Sequence, residues 1–185
     1  MSTLGVPGRR LFFAFWPDEA TREAMLHAAR QAIRASGGRP VNPTNLHVTV
    51  AFLGFVPEKR RPAVSAAGQD LPFAGLDFTF DGIDFWPKPQ VLVATASQPD
   101  PAGAALAASL WSRLAPLGIT PDTRPFTPHV TLARKVRKPA PGLELKPVTW
   151  SAPGLALVES VTEPAGVRYR VLERFPLKRK GWVAP

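Results

Sequence analysis

The sequence predicts an α+β fold of two related lobes, each with a sheet and a helix, and three observations carry this reading. A four-residue pattern occurs twice, as His47-Val48-Thr49-Val50 and as His129-Val130-Thr131-Leu132, 82 residues apart. The same offset, without a gap, places Pro17-Asp18 on Pro99-Asp100, Ala14 on Ala96, Ala20 on Ala102 and Ala51 on Ala133. Around these anchors both copies read in one order: strand, Pro-Asp turn, helix, loop, histidine strand. Few residues are identical, so the matched order weighs more than the identities. The 185 residues are 45% hydrophobic, enough for one domain over residues 1–185 made of two intimately packed lobes.

Copy one opens with an apolar, aromatic-rich strand, Leu11–Trp16. Asp18 is placed to cap a helix over Thr21–Ala35, which Gly37-Gly38 stops. After the first histidine strand comes a short helix near Glu58–Gln69, in which Pro62 is tolerated only near the start. A strand of alternating character follows over Leu76–Phe85. Copy two opens with the strand Val91–Ala96; Asp100 repeats the cap, with Pro101 at the first helical position. Leu106, Leu110, Trp111 and Leu114 fall at i, i+4, i+5 and i+8, giving that helix one buried face, and Pro116 and Gly118 end it. Beyond the second histidine strand, Val148–Val158 and Val167–Phe175 read as strands. In the latter, Val167, Tyr169 and Val171 alternate with Arg168, Arg170 and Leu172, as expected beside one polar face. The tail Lys178-Arg179-Lys180 reads as a solvated end.

Lys plus Arg number 23 against 14 Asp plus Glu, a net charge of +9. Such a surplus favours polyanionic partners, nucleic acid or phosphorylated ligands, and says nothing of the fold. The chain has no cysteine, which excludes disulfides, thiol nucleophiles and cysteine-ligated zinc or iron–sulfur sites. Arg9 and Arg10 precede the apolar run Leu11–Trp16, but Pro17, Asp18 and Glu19 end it too soon for a signal core or a membrane span. The expectation is a soluble, cytoplasmic monomer without membrane contact.

Residues i and i+2 of a strand share a face. His47 and Thr49 therefore project together while Val48 and Val50 turn into the core, and His129 and Thr131 do the same against Val130 and Leu132. Two such pairs facing across a groove suit a phosphodiester. In-line displacement at phosphorus needs a base on the attacking oxygen and an acid on the leaving oxygen, and histidine performs either task near neutral pH. Threonine hydroxyls can hold the non-bridging oxygens, and Arg134, five residues after His129, can neutralise charge on the same phosphate. A lone His-Val-Thr would be an ordinary strand; two, at matched places in a chain with three histidines, are not. The third, His27, lies in a helix without a threonine partner and is assigned no function. Two histidines are too few for a catalytic zinc, and no acidic residue follows either motif at ligand spacing, so neither metal nor cofactor is expected.

At these residues the sequence resembles the 2H phosphoesterases, in particular their LigT-like branch, the RNA 2′,3′-cyclic phosphodiesterases. The resemblance spans nearly the whole chain. It includes Arg10-Leu11-Phe12-Phe13-Ala14, the first motif within Asn45–Gly54 and the second within Phe126–Arg134. It implies the bilobal 2H fold with the active groove between lobes, and hydrolysis of an RNA 2′,3′-cyclic phosphate to a 2′-phosphate. By motif order His47 corresponds to the proton donor and His129 to the proton acceptor, with Thr49, Thr131 and Arg134 at phosphate-contacting positions. Val50 stands where leucine is common, on the inward face. Two other readings stay open: cleavage or ligation of 2′,5′ linkages, and a non-catalytic nucleic-acid-binding module. The chain has no Lys-x-Asp-Gly adenylation motif and no Walker loop, so ATP-driven ligation is not supported.

Overall fold

The computed structural model describes residues 7–98, 100–122, 124–139, 141–164 and 166–177. Its first strand is β1, Gly8–Phe15, interior to the large sheet and buried without interruption from Leu11 to Phe15 because both its faces are covered. Helix α1, Glu19–Ala35, follows; the Asp18 carboxylate accepts from the Thr21 amide at 2.8 Å, a cap that contributes about 1 kcal/mol. The helix ends at Ser36, one residue before Gly37 takes φ +65°. A two-residue strand β2, Arg39–Pro40, and a 3-10 turn, Pro43–Asn45, lead into β3, Val48–Pro57. Helix α2, Arg61–Gly68, is entered through a 3-10 turn at Glu58–Arg60 and carries Pro62 in its first turn, where no amide is needed. Then come β4 (Leu76–Phe80), β5 (Gly82–Trp86), β6 (Val91–Thr95) and α3 (Pro101–Leu114), the last capped by Asp100 at Gly103. Strands β7 (His129–Arg134), β8 (Val148–Ala152), β9 (Gly154–Glu163) and β10 (Gly166–Pro176) complete the chain.

Two predicted strands are each two strands. The run Leu76–Phe85 divides at Asp81 and Val148–Val158 divides at Pro153, and in both the chain passes from one sheet to another. Hydrophobic alternation continues through such a crossing, so periodicity alone does not reveal it. At Asp81 the backbone amide donates to Thr95 O while the carboxylate holds Ser97. Proline has no ladder donor to give, and Pro153 falls at the break. Pro99 and the tail 178–180, on which two expectations rest, lie outside the described residues.

The large sheet runs β10-β9-β1-β3-β7-β6-β5, with β2 added beside β7, and the small one pairs β4 with β8. All pairings are antiparallel. The large sheet reads alike in both directions from the β3–β7 contact: a histidine strand, an opening strand, then β9 on one side and β5 on the other. These outer strands are exchanged. β9, from the second half of the chain, completes the part built on β1 and β3, and β5, from the first half, completes the part built on β6 and β7.

One face of the large sheet packs against α1, α2, α3 and the small sheet. That core gathers Leu11, Phe13 and Phe15 with Met25, Val64, Leu106, Leu110, Leu114, Phe78 and Trp150. Trp111, at the edge of the predicted helical stripe, packs against it only in part. The other face carries a smaller cluster, Phe12, Ala14, Ala156 and Val158, with Trp16, Tyr169 and Val171 at its margin. This face forms the groove. The alternation predicted in β10 holds for Tyr169, Val171 and Leu172, with Leu172 against the main core, and then slips, because Leu172 is an extra residue and Glu173 falls on the same side. No helix among the described residues is long and apolar enough to cross a membrane.

Candidate active site

Strands β3 and β7 touch through one residue pair, Val48 with Val130, and diverge on either side of it. Both valines are fully buried in the main core, so the residues flanking them turn to the groove face. Continuing the antiparallel register from that pair sets His47 opposite Thr131 and His129 opposite Thr49. All four side chains are half-buried. The crossing thus gathers both histidines and both threonines of the two motifs on one surface.

The backbone fixes each imidazole. His47 Nδ1 lies 2.7 Å from the Asn45 carbonyl and His129 Nδ1 lies 2.9 Å from the Thr127 carbonyl. A carbonyl only accepts, so both Nδ1 atoms carry a proton and each Nε2 is left for the groove. His47 Nε2 is 3.1 Å from Thr49 Oγ1. The carbonyls come from the second residue before each histidine, so the two motifs use one local device.

Arg134 reaches the same face through a β-bulge. Strict alternation would put it with Val130 and Leu132, in the core. Instead Thr131 pairs with Val93 and Ala133 with Leu92, so Leu132 is an extra residue and the facing reverses. Leu132 and Ala133 are then both buried and Arg134 is exposed. The same irregularity occurs in β3 at Val50, where Thr49 pairs with Ala14 and Ala51 with Phe13. There the next outward residue is Phe52, which pairs with Phe12 and is 50% exposed. Phe52 and Arg134 stand 82 residues apart, so one position carries a ring in one half and a cation in the other.

Aromatic rings surround the histidines. Trp16 stacks on His47 at 5.5 Å and 11°, Tyr169 meets it edge-on at 5.0 Å, and Phe12 lies 5.0 Å away. Trp86 of β5 lies 4.5 Å from His129. Burial is the largest influence on His47 and takes its pKa down to about 4; the Asn45 carbonyl opposes this, and the charges of Arg134 and His129 add to it. His129 is also lowered, by burial first, with the Thr127 carbonyl opposing and Arg124 adding. Among the described residues no three His, Asp or Glu side chains gather as a ligand set. His27 is exposed on α1 beside Arg30.

A family model described as the 2′-5′ RNA ligase superfamily matches residues 16–162, a span that contains both histidine motifs. The chain belongs to that superfamily. An RNA 2′,3′-cyclic phosphodiesterase of Thermus thermophilus is 35% identical over 184 residues, covering 91% of this chain and 90% of that relative. An Escherichia coli protein of the same description is 31% identical, covering 91% of this chain and 97% of its own length. Superfamily structures agree in fold. E. coli LigT complexed with 3′-AMP matches 94% of this chain and all of its own with a TM-score of 0.81 at 29% identity. TT0787 of T. thermophilus matches 92% with a TM-score of 0.77 at 34% identity.

The structure brings all five predicted residues, His47, Thr49, His129, Thr131 and Arg134, to one face. Sequence reasoning missed Trp16, Phe52, Trp86 and Tyr169. For Phe52 a signal existed, because the 82-residue offset that aligns the histidines aligns it with Arg134. For the others none did: they arrive from the residue after β1, from β5 and from β10, with no fixed spacing to either motif.

Proposed function

We propose that this protein opens 2′,3′-cyclic phosphates at RNA ends and leaves a 2′-phosphate, by acid–base catalysis without a metal. The observation that carries the reading is the pair of imidazoles, each with Nδ1–H tied to a backbone carbonyl and Nε2 turned to one groove. His129 Nε2 takes a proton from water as the water oxygen attacks phosphorus. The bond from phosphorus to the 3′ oxygen breaks on the far side, and His47 gives its Nε2 proton to that oxygen. Thr49, Thr131 and Arg134 hold the non-bridging oxygens and carry their charge. Phe52, 50% exposed, offers its ring to the base. The superfamily membership and the names of the curated relatives support the same substrate class. One chain supplies both histidines, so the working unit is a monomer, and the exchanged outer strands make its two lobes one domain.

The test is turnover of an RNA with a 2′,3′-cyclic end in the presence of a chelator, with the product phosphate located. A 2′-phosphate formed at an undiminished rate is expected. Activity lost to chelator and restored by zinc or manganese would overturn the mechanism. The two roles separate with a nitrophenyl ester, whose leaving group needs no proton. His47→Ala and His129→Ala should each cost ~10²–10⁴-fold on the cyclic phosphate. On the ester the His47 variant should recover much of its rate and the His129 variant should not. Thr49→Ala, Thr131→Ala and Arg134→Ala should each cost less.

A further inference from the structure

The groove face of β1 and β3 continues past the chemistry. Two irregularities in β3, at Val50 and Leu53, reset its facing twice, so every third residue points into the groove: Thr49, then Phe52, then Phe55. Their partners on β1 are Ala14, Phe12 and Arg10. Phe52 is 50% exposed and Phe55 57%. Both are large apolar rings facing solvent, where a domain with no use for them would carry polar groups. Arg10, the β1 partner of Phe55, carries its guanidinium over the Phe52 ring, 5.5 Å from the centroid. Phe55 lies over the backbone of Gly8, where a β-carbon would come within 2.4 Å of its ring. Glycine at this position leaves the space that the tip of the ring occupies. On its other side Phe55 lines a cleft with Leu53, Arg60, Ile119 and Thr120.

We propose that Phe55 is a second base-stacking platform, for the nucleotide one step 5′ of the cyclic end. This rests on the cyclic phosphodiesterase reading and names its substrate more closely. The ring follows directly from the catalytic face, two strand steps or ~7 Å beyond Phe52 along the paired β1. A strand that leaves the histidines unstacked meets a ring, a guanidinium and a second ring in succession. Aromatic faces alternating with cations are how single strands are held without sequence preference. Arg10 and Arg60 supply the charge complementary to the phosphates between bases.

The experiment compares kcat/KM on a 2′,3′-cyclic mononucleotide with that on a trinucleotide carrying the same cyclic end, for the wild type and for Phe55→Ala, Phe55→Leu and Phe55→Trp. The wild type should prefer the trinucleotide. Phe55→Ala and Phe55→Leu should lose about tenfold on the trinucleotide, the scale of base–aromatic stacking, and keep their rate on the mononucleotide. Phe55→Trp should retain the preference. Binding of a 2′-phosphate-ended trinucleotide, read by fluorescence anisotropy, should weaken in parallel, and this readout needs no turnover. Equal losses on both substrates, an unchanged length preference in Phe55→Ala, or a Phe55→Ala protein that sediments as a smaller species than the wild type would overturn the proposal. A wild type that turns over neither substrate defeats the cyclic phosphodiesterase reading instead, and the anisotropy series still decides whether Phe55 holds RNA.

Discussion

In the proposed mechanism the imidazole that gives up a proton, His47, is the one that the free protein least allows to hold one. Burial, with Arg134 and His129 nearby, keeps His47 neutral down to about pH 4, and His129 is depressed as well. An anionic phosphate entering beside His47 reverses the balance, because it stabilises the imidazolium against those cations. Proton uptake should therefore accompany substrate binding. The profile of kcat/KM reports the free enzyme, so its descending limb should lie at acid pH and its maximum below 6.5. The kcat profile, which reports the complex, should hold to higher pH. Stopped assays across pH 4–9 check both, and a kcat/KM maximum above pH 7 would contradict the environment described for His47. At this scale the sequence was most legible. A doubled His-x-Thr on apolar strands announces itself, whereas Trp16, Tyr169 and Trp86 belong to the site through packing that no local spacing encodes.

Elements place those residues, and here the sequence was legible in outline and silent at its irregularities. Caps at Asp18 and Asp100 and the i, i+4, i+8 leucines of α3 are local signals, and the helices follow them. The bulges at Val50 and Leu132 are not local signals, yet they decide that Phe52 and Arg134 face the groove and not the core. Sheet changes at Asp81 and Pro153 are equally invisible to alternation. Asn45 joins two elements in one residue. Its carbonyl accepts from His47, its side chain donates to Val167 O at 2.9 Å and accepts from Tyr169 N at 3.4 Å. Asn45→Ala should loosen β10 and with it the edge-on Tyr169 ring. Amide exchange at residues 167–171 should quicken while α3 stays protected, and kcat should fall by less than in His129→Ala. Unchanged exchange in β10 would show that its pairing with β9 suffices to hold it.

For the whole molecule the exchange of β5 and β9 matters more than the resemblance of the halves. A chain cut in the turn between β5 and β6, at residues 87–90, would leave one fragment without the strand that completes β1 and β3, and the other without the strand that completes β6 and β7. Neither fragment should fold alone. Mixed, they should recover native circular dichroism and cyclic phosphodiesterase activity, with sedimentation as a one-to-one complex. The uncut chain should unfold in one transition that coincides by fluorescence and circular dichroism. Two folded fragments, or two separated transitions, would mean that the lobes are independent domains. The sequence offset of 82 residues reveals the kinship of the halves but not their exchange, because strand partners far apart in the chain leave no mark on periodicity.

The position that holds Phe52 in one half and Arg134 in the other has a consequence for regiochemistry. A cyclic phosphate offers two ester bonds, and a cradle of two equivalent imidazoles and two equivalent hydroxyls would present either oxygen to either histidine. Its products would be a mixture of isomers. In the proposed mechanism a ring that takes the base on one side and a guanidinium that takes the phosphate on the other give the bound nucleoside a head and a tail. Only one sugar oxygen then lies against His47. Phe52→Ala should accordingly do more than weaken binding: it should raise the share of 3′-phosphate among the products, which phosphorus NMR resolves. A product ratio unchanged in that variant would place the choice of oxygen in the histidines themselves.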